Sequence, residues 1–274
     1  METVMGNVNL IEVDSHFEFG KNWHDFSRLI DEGAICEAEQ GILRLIPQSA
    51  LRGATFLDIG SGSGLHSLAA HRLGAQHITA IDLDADSVAT TRSVLAANGV
   101  LARVEQVSVF DMEALGQFDV VYSWGVLHHT GAIWDAVKCA AAKVNPGGIL
   151  AIALYQKTPL CGAWAKEKQY YTAAPKMLRK LARGAYVMAF MLNNVLRRKN
   201  PIHYVRTYKS ARGMNFFHDV HDWMGGYPYE SSTLDETRQF VESLGFKLTF
   251  QRDVHPGLGI FGTGCAEYVF RRDL

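Results

Sequence analysis

Three glycines and one aspartate are spaced so that they could hold a nucleotide-like ligand. Gly60, Gly62 and Gly64 follow an apolar run at 54–59, in the sequence LDIGSGSG. Glycine allows close approach of the backbone to a ligand, and a helix after such a loop presents N–H groups to it. Asp82 ends the next apolar run, about 20 residues on, where a carboxylate can bind ribose hydroxyls. The pairing predicts an adenosine-containing ligand, although a plain tight turn would also use glycines.

Two adjacent histidines, His128 and His129, follow another apolar run and are candidates for proton transfer. Histidine titrates near neutral pH and can take the proton of a hydroxyl nucleophile. One of the pair could instead hydrogen-bond the backbone or pack beneath a ligand, and His129 is favoured as the base. His66, just after the glycines, is predicted to pack against or to position its neighbours.

These residues must be held by strands and helices that alternate along the chain. Apolar runs bounded by turn residues predict strands, and helical periodicity predicts the helices between them. The strands are expected at 54–59, 77–83, 104–110, 119–124, 149–155, 246–254 and 265–271. The helices are expected at 26–46, at 65–73, from Asp84 or Asp86 to 97, at 132–143 and at 233–244. This alternation predicts an α/β fold with a doubly wound parallel sheet, whose last two strands pair as a hairpin.

Composition indicates one globular domain with an insertion. The 274 residues are 48% hydrophobic and 20% charged, and the formal net charge of −1 predicts no bulk attraction for polyanions. The cysteines are too widely spaced for a zinc cluster and predict thiols in a reducing compartment. They are Cys36, Cys139, Cys161 and Cys265. No signal peptide and no run of roughly 18 apolar residues is evident, so a cytoplasmic protein is expected.

Five segments in register resemble the motifs of the class I S-adenosylmethionine-dependent methyltransferases. They are LDIGSGSG, AIDLD, FDME, FDVVYSWGVLHHT and NPGGILAIALY, within residues 54–155. The resemblance implies a Rossmann-like, mostly parallel sheet of seven strands with an antiparallel last strand, and S-adenosylmethionine as the cofactor. The cofactor would be held by Trp23, Asp58, Gly60, Ser61, Gly62, Gly64, Asp82, Leu83, Asp111, Met112 and Trp124.

The resemblance also implies roles for some of these side chains. Asp82 would bind the ribose, Asp111 would contact the adenine, and Trp124 or Leu127 would border it. Asp58 would lie near the ammonium of the cofactor's amino-acid end.

Two details of the glycine loop agree with this family. A dinucleotide-binding G-x-G-x-x-G loop requires glycine at position 65, which is Leu65, and the G-x-x-x-x-G-K-[ST] sequence of a P-loop is absent. No Lys or Arg lies within 53–71, whereas Asp58 does, so the charges favour a cationic sulfonium over a pyrophosphate.

Two segments outside this core look like lids. EFGKNWHDF at 18–26 would close over the cofactor, or would form a structural aromatic cluster. The segment 213–230 is interpreted as a rigid, partly polar loop that faces the methyl acceptor. Predicted acceptor contacts are Tyr155, Met214, His218, Asp222, Trp223 and Tyr227. His218, His221 and Asp222 could also form a metal site, but no fourth ligand is obvious and no metal is predicted.

Four regions are expected along the chain. Residues 1–50 form an N-terminal helical lid, 51–155 the cofactor-binding core, 156–230 a helical cap, and 231–274 a helix and two strands that complete the sheet. The combined pattern FGKNW, SWGVLHHTG and DWMGGYP resembles uncharacterised methyltransferases that are distantly similar to ubiquinone-type O-methyltransferases. This wider resemblance extends to most of the chain but does not identify the acceptor.

A basic stretch within the cap has no acidic residue. From Lys168 to His218 there are eleven Lys or Arg and no Asp or Glu, and an apolar run at 184–196 separates the basic clusters. A packed cap helix with solvated ends is the favoured interpretation. Weak contact with an anionic membrane surface, an anionic substrate or a nucleic acid are alternatives. No RNA-binding module is recognisable, which argues against nucleic acid.

The favoured function is methyl transfer to a hydroxyl or carboxyl oxygen of a small molecule, for which the protein chiefly aligns the reactants. Three alternatives stay open. They are methylation of RNA or protein through the basic stretch, intramolecular attack on the aminobutyrate chain of the cofactor, and cofactor binding without catalysis. Ser-Trp-Gly-Val at 123–126 replaces the N-P-P-[YF] motif of amide-nitrogen methylation, which argues against that chemistry.

Overall fold

A seven-stranded sheet runs through the part of the chain that the computed structural model describes, namely residues 23, 27, 30–212, 216–254 and 257–274. The strands are β1 (Thr55–Ile59), β2 (His77–Asp82), β3 (Ala102–Gln106), β4 (Phe118–Trp124), β5 (Val144–Tyr155), β6 (Phe246–Arg252) and β7 (Cys265–Arg272). Their order in the sheet is β3-β2-β1-β4-β5-β7-β6, and β7 is antiparallel to both of its neighbours. The predicted α/β sheet, mostly parallel with an antiparallel last strand, is confirmed.

Helices lie on both faces of this sheet and in an insertion that follows β5. They are α1 (Glu32–Leu45), α2 (Gln48–Leu51), α3 (Leu65–Arg72), α4 (Ala85–Ala97), α5 (Ile133–Ala142), α6 (Cys161–Ala173), α7 (Lys176–Leu196), α8 (Pro201–Arg212), α9 (Phe216–Gly225) and α10 (Leu234–Ser243). Adjacent residues of β4 point to opposite layers, as the two-residue period of a strand requires. Val121 packs with α5 and α10, whereas Val120 and Tyr122 pack with α1 and α3. Both layers are therefore closed by apolar side chains.

Side-chain caps explain where two of the helices begin. The Asp84 carboxylate accepts the N–H groups of Asp86 and Ser87 at 2.8 and 3.1 Å, so Asp84 rather than Asp86 is the N-cap of α4. Thr233 and Glu236 bond each other's backbone N–H groups at the start of α10. This reciprocal capping box fixes the helix that leads into the last two strands.

Some predicted boundaries are wrong, and the sheet explains the clearest case. The third strand was predicted at 104–110 but spans Ala102–Gln106. β3 is an edge strand whose neighbour β2 ends at Asp82, opposite Gln106. The Val107 N–H still bonds the Asp82 carbonyl at 3.1 Å, but a strand that continued to residue 110 would extend past the end of β2. The turn predicted at 145–148 instead belongs to β5, with an irregular register against β4.

The segment 213–230 was predicted as a loop, and this is wrong for its centre. Phe216–Gly225 is the helix α9. Phe216, Val220 and Met224, four residues apart, are buried in an aromatic cluster with Tyr171 and Tyr208. Polar residues among these positions conceal the helical period.

The helical insertion, defined as α6 to α9, lies between β5 and α10 in the chain. Its four helices share that aromatic cluster. None of the helices in the described residues is both long and apolar enough to cross a bilayer.

Candidate functional site

The loop between β1 and α3 turns through glycines in the left-handed region. The φ angles are +75° at Gly60, +54° at Gly62 and +77° at Gly64, which side chains rarely tolerate. A Cβ at Gly60 would lie 2.4 Å from Cγ2 of Val126. Val126 precedes the 3₁₀ turn Leu127–His129, which follows β4. The glycine loop is therefore pressed against the segment that carries the two histidines.

Two predicted cofactor contacts meet at the middle glycine of this loop. A Cβ at Gly62 would lie 3.0 Å from Cε2 of the Trp23 indole. The Gly62 N–H donates to Oδ2 of Asp82 at 2.9 Å, and the Asp84 N–H donates to Oδ1 at 3.0 Å. The Asp82 carboxylate thus lies at the carboxyl end of β2, directly beside the glycine loop.

Thr91 of α4 holds the rest of the loop. Its hydroxyl bonds the Gly62 carbonyl at 3.1 Å and lies 3.0 Å from the hydroxyl of Ser61. Ser61, a predicted cofactor contact, is buried, and its hydroxyl is directed at Thr91. A Cβ at Gly64 would lie 3.0 Å from the Thr91 Cα. The shape of the loop therefore depends on its packing against α4.

We expect Gly64→Ala to destabilise the protein by about 2–4 kcal/mol, from left-handed strain and a collision with the Thr91 backbone. Gly99→Ala is the matched control, because its φ is +71° and no atom lies within 4 Å of the added Cβ. Strain alone should cost it about 1–2 kcal/mol. Urea unfolding of both variants measures the difference. Equal losses would mean that the Thr91 contact contributes nothing.

Two carboxylates at this loop have raised pKa values. Burial raises the pKa of Asp58 to about 7, opposed by the Ser67 hydroxyl that donates to it at 2.6 Å, while nearby Asp82 raises it further. Burial also raises the pKa of Asp82 to about 6, opposed by the Asp84 and Gly62 N–H groups. A positive charge placed here would favour both ionised forms. The loop therefore fits a cationic ligand.

The remaining predicted cofactor residues lie at the carboxyl ends of the strands or just beyond them. Leu83 follows β2 and is half-buried, Asp111 is exposed after β3, and the Met112 side chain is buried in the core. The indole N–H of Trp124, at the end of β4, donates to Oε1 of Glu267 at 3.0 Å. These side chains surround the edge at which ligands of parallel sheets bind.

His66 lies beside two aromatic rings at the start of α3. Its ring centroid is 5.3 Å from that of Tyr122 and 6.5 Å from that of Trp124. Burial lowers the pKa of His66 to about 4, which keeps the ring neutral. A neutral ring against aromatic neighbours is consistent with packing.

His128 is fully buried under Tyr155, with ring centroids 3.8 Å apart. The Tyr155 N–H donates to Nδ1 of His128 at 3.3 Å, so the ring proton is on Nε2. Nε2 has no hydrogen-bond partner among the residues that the structure describes. Burial holds the pKa of His128 well below its usual value. His128 is therefore neutral and poorly placed to accept a proton.

His129 has the opposite arrangement. Its Nδ1 lies 2.8 Å from the Pro228 carbonyl oxygen, which can only accept. Nδ1 therefore carries the proton, and the lone pair of the neutral ring is on Nε2. The ring meets Tyr155 edge-on at 5.3 Å. This tautomer is the one that a general base requires.

Residues 228–232, here called the clamp segment, fasten the end of the helical insertion to this site. The Glu230 N–H donates to the His128 carbonyl at 2.9 Å, and its carboxylate accepts the Ile133 N–H at the start of α5. The Ser232 N–H donates to the Tyr155 carbonyl at 3.0 Å. Burial raises the pKa of Glu230 to about 7. Sequence reasoning missed this clamp, whose bonds join residues about a hundred positions apart.

An aromatic and cationic group beside Tyr155 was also missed. The Tyr229 ring is 5.1 Å from that of Tyr155, and its hydroxyl lies 3.4 Å from Sγ of Cys161. Nζ of Lys168, which is buried, lies 5.3 Å from the centre of the Tyr229 ring and 5.8 Å from that of Trp164. Cys161, predicted to be a buried or incidental thiol, is buried, whereas Lys168, predicted to belong to a solvated basic cluster, is buried as well. No local motif marks either residue.

Of the predicted acceptor contacts, the structure brings Tyr155 against the histidine pair. Trp223 lies on α9, with its ring 6.4 Å from that of Tyr208, and Tyr227 is half-buried after α9. Met214 and the side chains of His218 and Asp222 lie outside the described residues. Within the described part of the chain, no group of three His, Cys, Asp or Glu side chains is placed to hold a metal ion.

A cavity of about 470 Å³ lies elsewhere, lined by residues of α1, β5, β6 and β7 together with Pro47 and Ser49. None of the predicted site residues lines it. The candidate site is therefore defined by hydrogen bonding and charge rather than by this cavity.

The central part of the chain matches a known family. Residues 56–148 match the model described as a methyltransferase domain. This match assigns residues 56–148 to a methyltransferase domain of the class I S-adenosylmethionine-dependent type. The cofactor of this methyltransferase domain is S-adenosylmethionine, which agrees with the cation-favouring charges around Gly62.

Curated relatives of the methyltransferase domain differ in what their names say they act on. The chain is 35% identical over 144 residues to a ribosomal protein L11 methyltransferase of Geobacter metallireducens, covering 52% of this chain and 41% of that protein. It is 37% identical over 126 residues to a ubiquinone biosynthesis O-methyltransferase of Xanthomonas campestris, covering 45% of this chain and 52% of that protein. The chain therefore spans about half the length of the curated relatives it matches.

A solved structure shares the fold of the methyltransferase. The magnesium protoporphyrin IX methyltransferase of Synechocystis with bound SAH has a TM-score of 0.53, covering 88% of this chain and 84% of that one. Its sequence identity is 12%, so the likeness concerns the fold alone.

Proposed function

We propose that this chain transfers a methyl group from S-adenosylmethionine to a hydroxyl or carboxyl oxygen of a small molecule. The observation that carries the proposal is His129, whose Nδ1–H is held by the Pro228 carbonyl at 2.8 Å. The bound cofactor supplies an activated methyl group on its sulfonium. Nε2 of His129 would take the proton of a hydroxyl acceptor as the oxygen is methylated. A carboxylate acceptor would need alignment only.

The cofactor is proposed to lie along the glycine loop. Asp82 would accept hydrogen bonds from the ribose hydroxyls, and Asp58 would face the ammonium group. Asp111 and Trp124 would border the adenine, with Leu83 and Met112 beneath it. Trp23, beside Gly62, would close over the amino-acid end. The helical insertion would act as a cap over the acceptor.

The acceptor is proposed to be aromatic or acidic. The Tyr155 and Tyr229 rings offer faces to a planar ring, and the Lys168 ammonium offers a positive charge to an acidic group. An aromatic acceptor with a phenol or carboxylate would use all three.

The experiment is a transfer assay of the full chain with methyl-labelled S-adenosylmethionine. Phenols, aromatic carboxylic acids, ribosomal proteins and RNA are offered separately, and products are separated by size and by stability to base. We expect label in small-molecule ethers or esters, and loss of activity in Tyr229→Ala. Label confined to protein amines or to RNA would contradict the proposal, as would sulfonium cleavage without any acceptor.

We expect the affinity for S-adenosylmethionine to fall as the pH drops from about 8 to about 5. The pKa of Asp58 is about 7 in the unliganded protein, and the cofactor's ammonium would favour ionised Asp58, so binding releases a proton below that pH. Calorimetry across this range in Asp58→Asn should show weaker binding at pH 8 and a flatter profile. Asp86→Asn, an exposed acid on α4, is the control. An unchanged profile in Asp58→Asn would contradict the assignment.

The contribution of Asp58 to the stability of the cofactor-free protein should change with pH in the opposite direction to the cofactor affinity: it should decrease as the pH rises. Because the folded-state pKa of Asp58 is raised above its unfolded value, the protonated form is favoured in the folded protein. The contribution of this pKa shift to the free energy of unfolding is fully present below about pH 4 and is lost as the pH rises through 7. Urea unfolding of the wild type and of Asp58→Asn at pH 5 and 8 measures this contribution.

A further inference from the structure

The helix α7 is apolar on two opposite faces. Ala182, Tyr186 and Phe190 pack into the aromatic cluster of the helical insertion. The other face is exposed, and five of its side chains are between 59% and 75% accessible. These are Met177, Leu181, Met188, Leu192 and Leu196. A contiguous exposed apolar face of this size commonly marks an interaction site, so this outer face is expected to have an occupant.

The exposed face continues beyond these five residues. Leu178 and Val195 lie beside it on α7, and Ile202 of α8 is 63% accessible. The spacing of 181, 188, 192 and 196 keeps the side chains on one stripe along a helix of 21 residues. At 1.5 Å per residue this stripe is about 30 Å long.

Exposed Lys and Arg side chains lie at both ends of the stripe. Lys176 and Lys180 are exposed at its start, and Arg197, Arg198 and Lys199 at its end. Eleven of the chain's 27 Lys and Arg lie between residues 168 and 218, where there is no Asp or Glu. The rest of the chain therefore has 16 Lys and Arg against all 28 Asp and Glu. An occupant of this surface must be apolar along the stripe and negatively charged at both ends.

We propose that the outer face of α7 docks on an anionic lipid surface, with the helix lying in the interface plane. The Leu and Met side chains would enter the boundary between headgroups and acyl chains, and the flanking bases would contact anionic headgroups. The main alternative occupant is a protein whose surface is apolar along the stripe and negatively charged at both ends. The lipid surface is favoured because basic residues flank a continuous apolar stripe at both of its ends, as in a helix that lies in an anionic interface. Docking is independent of the identity of the methyl acceptor.

The test is sedimentation of the full chain with vesicles of phosphatidylcholine, with and without phosphatidylserine. We expect binding that requires phosphatidylserine and weakens with added salt. Arg197→Gln/Arg198→Gln/Lys199→Gln should bind on the order of 100-fold more weakly, since each base near the surface contributes about fivefold. Leu181→Ser/Met188→Ser/Leu192→Ser should lose binding by a similar factor or more. Arg52→Gln/Lys138→Gln/Lys247→Gln makes the same charge change at exposed sites elsewhere and should bind like the wild type.

We expect each variant to bind S-adenosylmethionine with the affinity of the wild type, which would show that the variants fold. Failure of the wild type to bind phosphatidylserine vesicles overturns the proposal, as does binding that neither triple variant weakens. Sedimentation velocity without lipid gives a further outcome. A wild-type dimer that the Ser variant dissociates would assign the stripe to a second copy of the chain and would also overturn the proposal.

Discussion

Replacing Asp82 with alanine is expected to weaken S-adenosylmethionine binding by about 100-fold or more. The carboxylate would bond two ribose hydroxyls, and a hydrogen bond to a charged group contributes about 1.5–3 kcal/mol. The variant also leaves the Gly62 N–H without the carboxylate that accepts it at 2.9 Å, so the glycine loop loses one of its hydrogen bonds to β2, while the Gly60 and Ser61 N–H groups still bond the Ile81 carbonyl. Titration calorimetry at pH 8 measures the affinity with the carboxylates of the wild type ionised.

Asp84→Ala separates ribose binding from helix capping. Asp84 lies two residues further on, and its carboxylate caps α4. Its removal should cost about 1 kcal/mol of stability and leave cofactor affinity nearly unchanged. If Asp82→Ala binds the cofactor as tightly as Asp84→Ala does, the ribose assignment is wrong.

The second large effect is expected at His129. His129→Ala should lower kcat by about 100-fold to 10,000-fold for a hydroxyl acceptor, the range that general bases contribute. The affinity for S-adenosylmethionine should change little, because His129 follows β4 and contacts Tyr155 and Pro228. Steady-state kinetics with a phenol that supports turnover, together with calorimetry, measure the two quantities separately.

His129→Asn distinguishes a base from a positioning residue. The asparagine amide can still donate to the Pro228 carbonyl, but it has no nitrogen that accepts a proton. If proton transfer matters, His129→Asn should be as slow as His129→Ala. If His129→Asn recovers turnover, the role of His129 is to hold the clamp segment rather than to accept a proton. If His129→Ala is fully active, His129 has no part in the mechanism.

The strands and the glycine loop could be predicted because their signals are local. Gly60, Gly62 and Gly64 can adopt the left-handed backbone angles that other residues rarely adopt, and Asp82 ends a strand that is apolar in sequence. The helix caps at Asp84 and Thr233 likewise depend on residues within one turn. Short-range geometry therefore specified the part of the site assigned to the cofactor.

The acceptor side could not be predicted in the same way. The bonds that orient His129 and cap α5 come from Pro228 and Glu230, about a hundred residues away. Lys168 is buried, with its ammonium near the Trp164 ring of its own helix and the Tyr229 ring of the clamp segment, although the basic residues that follow it suggest a solvated charge. α9 was hidden because His and Asp residues lie among its apolar positions. Long-range packing determines these features.

The clamp segment connects the helical insertion to the ring of His129, the proposed base. The carbonyl that fixes the His129 tautomer belongs to Pro228, immediately after the insertion, and Glu230 and Ser232 bond the His128 and Tyr155 backbones. Moving the insertion outward would withdraw that carbonyl, and the imidazole proton would then be able to occupy either nitrogen. With His129 as the proposed base, the position of its proton would therefore depend on the contact between the clamp segment and the histidine pair.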